Sequence, residues 1–111
     1  MPNVFKSKRH DTGISPQMTF TPAAEVEWDL EEAGIAAKFI ARLPSSGSPK
    51  MNAAATVVGP WTVRYDPTET DVDAIGAYDV EVEITRSNGK KITLPTEGYL
   101  SWVIAADLDD A

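Results

Sequence analysis

The sequence contains no cysteine and a single histidine, His10. The first absence removes disulfides, thiolate metal sites and cysteine nucleophiles together. It also sets the chain apart from secreted immunoglobulin domains, which usually carry a disulfide between their sheets. The second leaves any histidine chemistry resting on one residue in a segment without periodicity, where no rigid scaffold would hold it. No stretch approaches the ~20 apolar residues of a membrane span. There is no glycine-rich phosphate loop and no run mixing bases with aromatics. Positive charge is also scarce, with 10 Lys and Arg against 17 Asp and Glu and a net charge of −7. Such a surface repels phosphate backbones and anionic headgroups, so neither nucleic acid nor membrane is an expected partner. Residues 1–10 hold charges and no apolar run, which predicts no signal peptide and synthesis in a reducing cytoplasm.

What is present suffices for one globular domain. The 111 residues, 42% of them hydrophobic, bury enough surface for a modest core without staples. The clearest pattern is residues 78–85, Y-D-V-E-V-E-I-T, in which Tyr78, Val80, Val82 and Ile84 alternate with Asp79, Glu81, Glu83 and Thr85. Strict period-two alternation marks a strand with one buried face. Asn88-Gly89 then predicts a tight hairpin, since both residues tolerate positive φ, and residues 91–94 return with Ile92 and Leu94 inward. Pro95 ends that strand, and residues 99–106 form a last one around Trp102. Upstream, residues 17–21, 35–43, 53–58 and 61–65 read as strands, with a breaker-rich loop at residues 44–49. Residues 22–34 are open between a short helix, with Val26 and Leu30 four apart, and irregular chain.

Six or seven short strands broken by Gly, Pro and Asn predict an all-β fold, an immunoglobulin-like antiparallel β-sandwich of about seven strands. The expected organisation is an extended N-terminal arm at residues 1–13, the sandwich at 14–108 and an acidic tail at 109–111. The arm carries Lys6, Lys8 and Arg9, while Asp107, Asp109 and Asp110 give the other end the opposite sign. The two ends either pair with each other or stand solvated.

Three constellations invite chemistry. Asp66, Glu69, Asp71 and Asp73 suggest calcium, but the helix-loop-helix pattern fails where ligands are needed, at Ile75 and Val82. Carboxylates on a water-facing strand surface lack the enclosure that creates a general acid. No catalytic, metal or cofactor-binding residue is therefore assigned, no cofactor is expected and the chain is not expected to be an enzyme. Asp73, Gly76 and Tyr78 approximate the corner in which a tyrosine at the start of a late strand ties a loop to its sheet. The alternative reading of Tyr78 is an ordinary core residue.

The order of several motifs carries a resemblance. Asp11-Thr12 is followed by Trp28-Asp29-Leu30, Ala36-Ala37-Lys38-Phe39-Ile40-Ala41-Arg42 and Val63-Arg64-Tyr65. Asp73, Gly76-Ala77-Tyr78-Asp79-Val80-Glu81-Val82, Asn88-Gly89-Lys90-Lys91, Leu94-Pro95, Gly98-Tyr99 and Asp107-Leu108 complete the series. Across residues 11–108 this resembles the immunoglobulin-like N-terminal domain of tailed-phage baseplate upper proteins and related small virion proteins. The resemblance implies a non-enzymatic structural protein of a phage virion, made in the bacterial host cytoplasm. It would attach at the tail, baseplate or neck through other virion proteins, in multiple copies within a symmetric assembly. Capsid decoration on the head, against the major capsid protein, is the alternative. A ligand- or carbohydrate-binding module using Trp28, Trp61 or Trp102 as a stacking platform is a third reading. In the structural readings Phe5, flanked by Lys6, Lys8 and Arg9, is the candidate partner contact. Deleting residues 1–9 would then cost attachment and leave the fold intact.

Overall fold

A computed structural model describes residues 4–95, 98–106 and 108. Its elements are β1 (Val4–Lys8), β2 (Gln17–Thr19), β3 (Ala36–Arg42), β4 (Met51–Gly59), β5 (Thr62–Arg64), β6 (Gly76–Thr85), β7 (Lys91–Leu94) and β8 (Leu100–Ala105), with no helix among the described residues. The strand order is β1-β8-β6-β3-β4-β5-β2, and β7 pairs with the end of β6 beyond β8.

The alternating segment that dominates the sequence is the centre of the larger sheet. Tyr78, Val80, Val82 and Ile84 of β6 are buried, facing the core beside Ala37, Phe39 and Ala41 of β3. β4 belongs to both sheets. Its first half, from Met51 to Ala55, pairs with β3, whereas Thr56 and Val57 pair with β5. The strand changes sheets between Ala55 and Thr56, and a register irregularity follows between Val57 and Gly59, within its pairing with β5. The smaller sheet is then β4, β5 and β2, and the two sheets enclose one core. The result is the expected all-β sandwich, with eight strands and a mixed rather than wholly antiparallel sheet, because β1 runs parallel to β8.

Aromatic rings span the core from edge to edge. Phe5 meets Trp102 edge-on at 5.3 Å, Trp102 meets Phe39 edge-on at 5.9 Å, and Phe39 stacks on Tyr65 at 4.2 Å with the rings 4° from parallel. These rings come from β1, β8, β3 and the residue that follows β5, so one row joins both sheets. Each contact adds about 0.5–1.5 kcal/mol to the area that it buries.

The N-terminal arm is extended as a strand. β1 runs parallel to β8, from Val4 beside Ser101 to Lys8 beside Ala105. Phe5 packs on Trp102, and the Trp102 indole N–H donates to the Ser7 hydroxyl at 2.9 Å. Removing residues 1–9 is therefore expected to uncover part of the core, in contrast to the sequence-based expectation that the fold survives the deletion intact. The closing acids Asp107, Asp109 and Asp110 lie outside the described residues.

One segment left open is resolved, and one local expectation changes. Residues 22–34 contain turns and no helix: Asp29 accepts the Glu31 N–H at 2.8 Å, and the Leu30 N–H donates to the Pro60 carbonyl. An Asp side chain competing for nearby backbone donors favours such turns over a helix. At the hairpin, Gly89 alone adopts positive φ, at 85°. Gly89 N–H donates to the Arg86 carbonyl, and Arg86 N–H donates to the Lys90 carbonyl. This is the three-residue loop with a glycine bulge, so the tight hairpin forms with positive φ at Gly89 and not at Asn88.

Candidate functional site

The strand path begins at β1 and ends at β2, and these two strands do not pair. The sheet is therefore curled but left open along one seam. Beneath the seam lies a cavity of about 300 Å³. β1 contributes Val4 and Phe5 to it, and β8 contributes Leu100, Ser101 and Trp102. The β2 side contributes Pro16, Gln17, Met18, Thr19 and Thr21, while Phe39 and Val80 reach it from the central strands. None of these side chains is ionisable near neutral pH. The cleft offers apolar and aromatic surface with amide and hydroxyl groups among it, an arrangement suited to holding a group by shape and burial.

The main chain along the seam is also available. Pro16 accepts the Tyr65 N–H and Phe20 donates to the Trp61 carbonyl. Backbone groups alternate in direction along an antiparallel pair, so Met18 faces β5 while Gln17 and Thr19 face the seam. On β1, Arg9 N–H donates to the Ala105 carbonyl, so Phe5 and Ser7 also face β8 while Val4, Lys6 and Lys8 face outward. The Lys8 main chain is met by Asp11, whose carboxylate accepts its N–H and whose N–H donates to its carbonyl.

Of the predicted partner contacts, Phe5 is half-buried and forms a wall of the cleft, while Lys6 and Lys8 are exposed and Arg9 follows the strand. Composition alone did not reveal the cleft. Met18 and Phe20 were legible as aligned apolar residues, but Val4 and Leu100 lie in segments whose pairing no local pattern announces.

Tyr78 is buried, and its hydroxyl donates to the Ala74 carbonyl at 2.9 Å. Gly76 lies against Leu43, where an added Cβ would come within 2.8 Å of Cδ2. Asp73 points elsewhere, to Lys50 Nζ at 2.6 Å, and this bond holds its carboxyl below the usual range. Two other acids of that segment are also engaged separately. Asp71 accepts from the Tyr65 hydroxyl and the Thr68 N–H, and Asp66 accepts from the Ser15 hydroxyl. Burial, and then the Asp71 carboxylate, push the Tyr65 hydroxyl far above its ordinary pKa. Among the described residues no three His, Cys, Asp or Glu side chains gather to hold a metal ion.

The tryptophans divide. Trp102 is buried in the core. Trp28 and Trp61 lie 5.4 Å apart, and the Arg86 guanidinium sits 4.5 Å above the Trp28 ring. Arg86 also forms a two-pronged bond to Glu32, at 2.7 and 3.0 Å, which lowers the pKa of the carboxyl. Both tryptophans are half-buried and already in contact, and Arg86 covers one face of Trp28, so neither stands as an open stacking platform. A smaller groove of about 120 Å³ on the outer sheet surface is lined by Ile40, Arg42, Pro49, Asp79, Glu81 and Tyr99.

No family model and no curated protein matches the chain. Among solved structures it is similar to CopC from Methylosinus trichosporium OB3b, at 15% identity and a TM-score of 0.53, covering 96% of this chain and 88% of that one. At that identity the likeness shows the fold, a sandwich shared across nearly the whole length. It also corrects the expected virion role at the tail, baseplate, neck or capsid: this similar structure is that of a protein that is not a phage component, and neither a family model nor a curated protein supports a phage assignment.

Proposed function

We propose that this domain is a non-catalytic binding module whose site is the cleft between β1 and β2. The observation that carries the reading is the 300 Å³ cavity at the open seam, walled by Phe5, Met18, Phe39 and Trp102 with no ionisable side chain in its lining. Acid–base and nucleophilic catalysis need a titratable group poised at the reacting atom, and this lining supplies none. What it supplies is apolar enclosure, with hydroxyl and amide groups able to orient the group enclosed. The likeness to CopC supports the scaffold alone and brings no ligand with it.

Indole, a neutral aromatic that fits such a volume, is a suitable probe. Titration followed by NMR is expected to shift the methyl signals of Met18, Leu100 and Val4 and to leave those of Ile92 unchanged. Absence of any saturable shift at the cleft methyls, or shifts confined to other surfaces, would overturn the reading.

A further inference from the structure

We infer that the occupant of the cleft is an extended segment of a partner protein, which adds as a strand between β1 and β2 and carries alternating apolar and acidic side chains. The inference rests on the cleft being the binding site and identifies what enters it. Three observations converge on a strand.

The first is topological. β1 and β2 are the two ends of a curled sheet and do not pair with each other. The second is the direction of the main chain. Val4 and Lys6 turn their N–H and C=O groups outward from β8, and Gln17 and Thr19 turn theirs away from β5. Among the described residues, both edges therefore present ladder groups without a strand partner to the same seam. On Lys8, the next outward-facing residue of β1, Asp11 already occupies the main chain, which confines the open edge to the part beside the cavity. The third is the cavity itself. A strand's side chains alternate, so an added segment would send every second one into the space beside Phe5, Met18 and Trp102. Backbone pairing and a side-chain pocket then coincide, which a small apolar ligand would use only in part.

Charge selects the character of the other side chains. Lys6 and Lys8 project from the same face of β1 and are exposed, on a protein whose net charge is −7. Residues of an added strand facing the same way would lie across from these ammonium groups, where acids are favoured and bases repelled. The same argument disfavours a second copy of this chain offering its own β1, since that pairing would set Lys6 and Lys8 against lysines.

The test uses the intact chain and two capped hexapeptides, one alternating valine with glutamate and one alternating valine with lysine. The glutamate peptide is expected to bind and to slow amide exchange at Lys6 and Thr19. It should bind about two- to fivefold more tightly than the lysine peptide, the range for an exposed ion pair. That preference should shrink at ~1 M salt, where charges are screened beyond about 3 Å. Lys6→Glu, a surface change that leaves the core alone, should reverse it. Thr19→Pro, which removes an outward N–H, should weaken both peptides. Indole binding without peptide binding would overturn the strand occupant and leave the cleft reading standing, whereas failure of both would overturn both. Equal affinity for the two peptides would overturn the acidic character. A dimer that protects the Lys6 and Thr19 amides would make the occupant a second copy and overturn the proposed partner.

Discussion

Phe39 sits at the centre of the aromatic row. It is fully buried, stacks on Tyr65 across the sandwich and meets the edge of Trp102. Phe39→Ala is therefore expected to cost about 3–5 kcal/mol in denaturant unfolding, enough to unfold a marginal domain. Tyr78→Phe keeps the packing and removes only the bond to the Ala74 carbonyl. Its expected cost is about 0.5–1.5 kcal/mol, leaving the carbonyl to find water. Arg86 combines a planar fork on Glu32 with a face laid over Trp28. A lysine reproduces the charge but neither the fork nor the stacking. Arg86→Lys should thus lower the melting temperature nearly as far as Arg86→Ala, and equal stability of Arg86→Lys and the parent would refute this account.

Elements respond according to which edge they occupy. β6 is central, and its alternating pattern was legible because both its periodicity and its burial are local consequences of sequence. β1 was not legible as a strand. Val4-Phe5-Lys6-Ser7-Lys8 alternates in burial, but only Phe5 is a large apolar residue facing inward, too little for a pattern. What makes it a strand is β8 alongside, almost a whole chain length away. Deleting residues 1–9 is expected to lower the melting temperature and shift tryptophan emission to the red as Trp102 meets water. Ser7→Ala isolates one part of this, leaving the Trp102 N–H without its acceptor at about 1 kcal/mol. The hairpin at Asn88-Gly89 was predicted in place but not in type, since Asn-Gly permits more than one turn and the register of β6 with β7 selects among them.

Across the whole molecule, stability should depend on pH chiefly through carboxylates whose native partners lower their pKa. Glu32 is lowered by Arg86, Asp66 by Ser15 and then Arg64, and Asp73 by Lys50. Each contributes stability that is complete above its ordinary value, 4.5 for Glu32 and 3.8 for the two aspartates, and is lost as pH falls through the lower native value. Melting temperatures should thus hold steady from about pH 5 to 8 and drop below about pH 4. Glu32→Gln should flatten part of that drop. All three pairs are partly exposed, so added salt should shrink their contribution.

The sequence by itself determined the class of fold, the central strands, the hairpin's position and most of the core. Those properties follow from period-two burial and from turn residues, both encoded within a few neighbours. Composition also set the net charge and excluded thiol chemistry. Tertiary structure alone decided that Phe5 faces Trp102, that β4 divides between two sheets, that Asp73 joins Lys50, and that β1 and β2 stop short of each other over a cavity. Each of these depends on which distant segments become neighbours, and local pattern carries no term for that pairing. The cleft is a property of closure, of a curled sheet left one strand short, and only the assembled sandwich displays it.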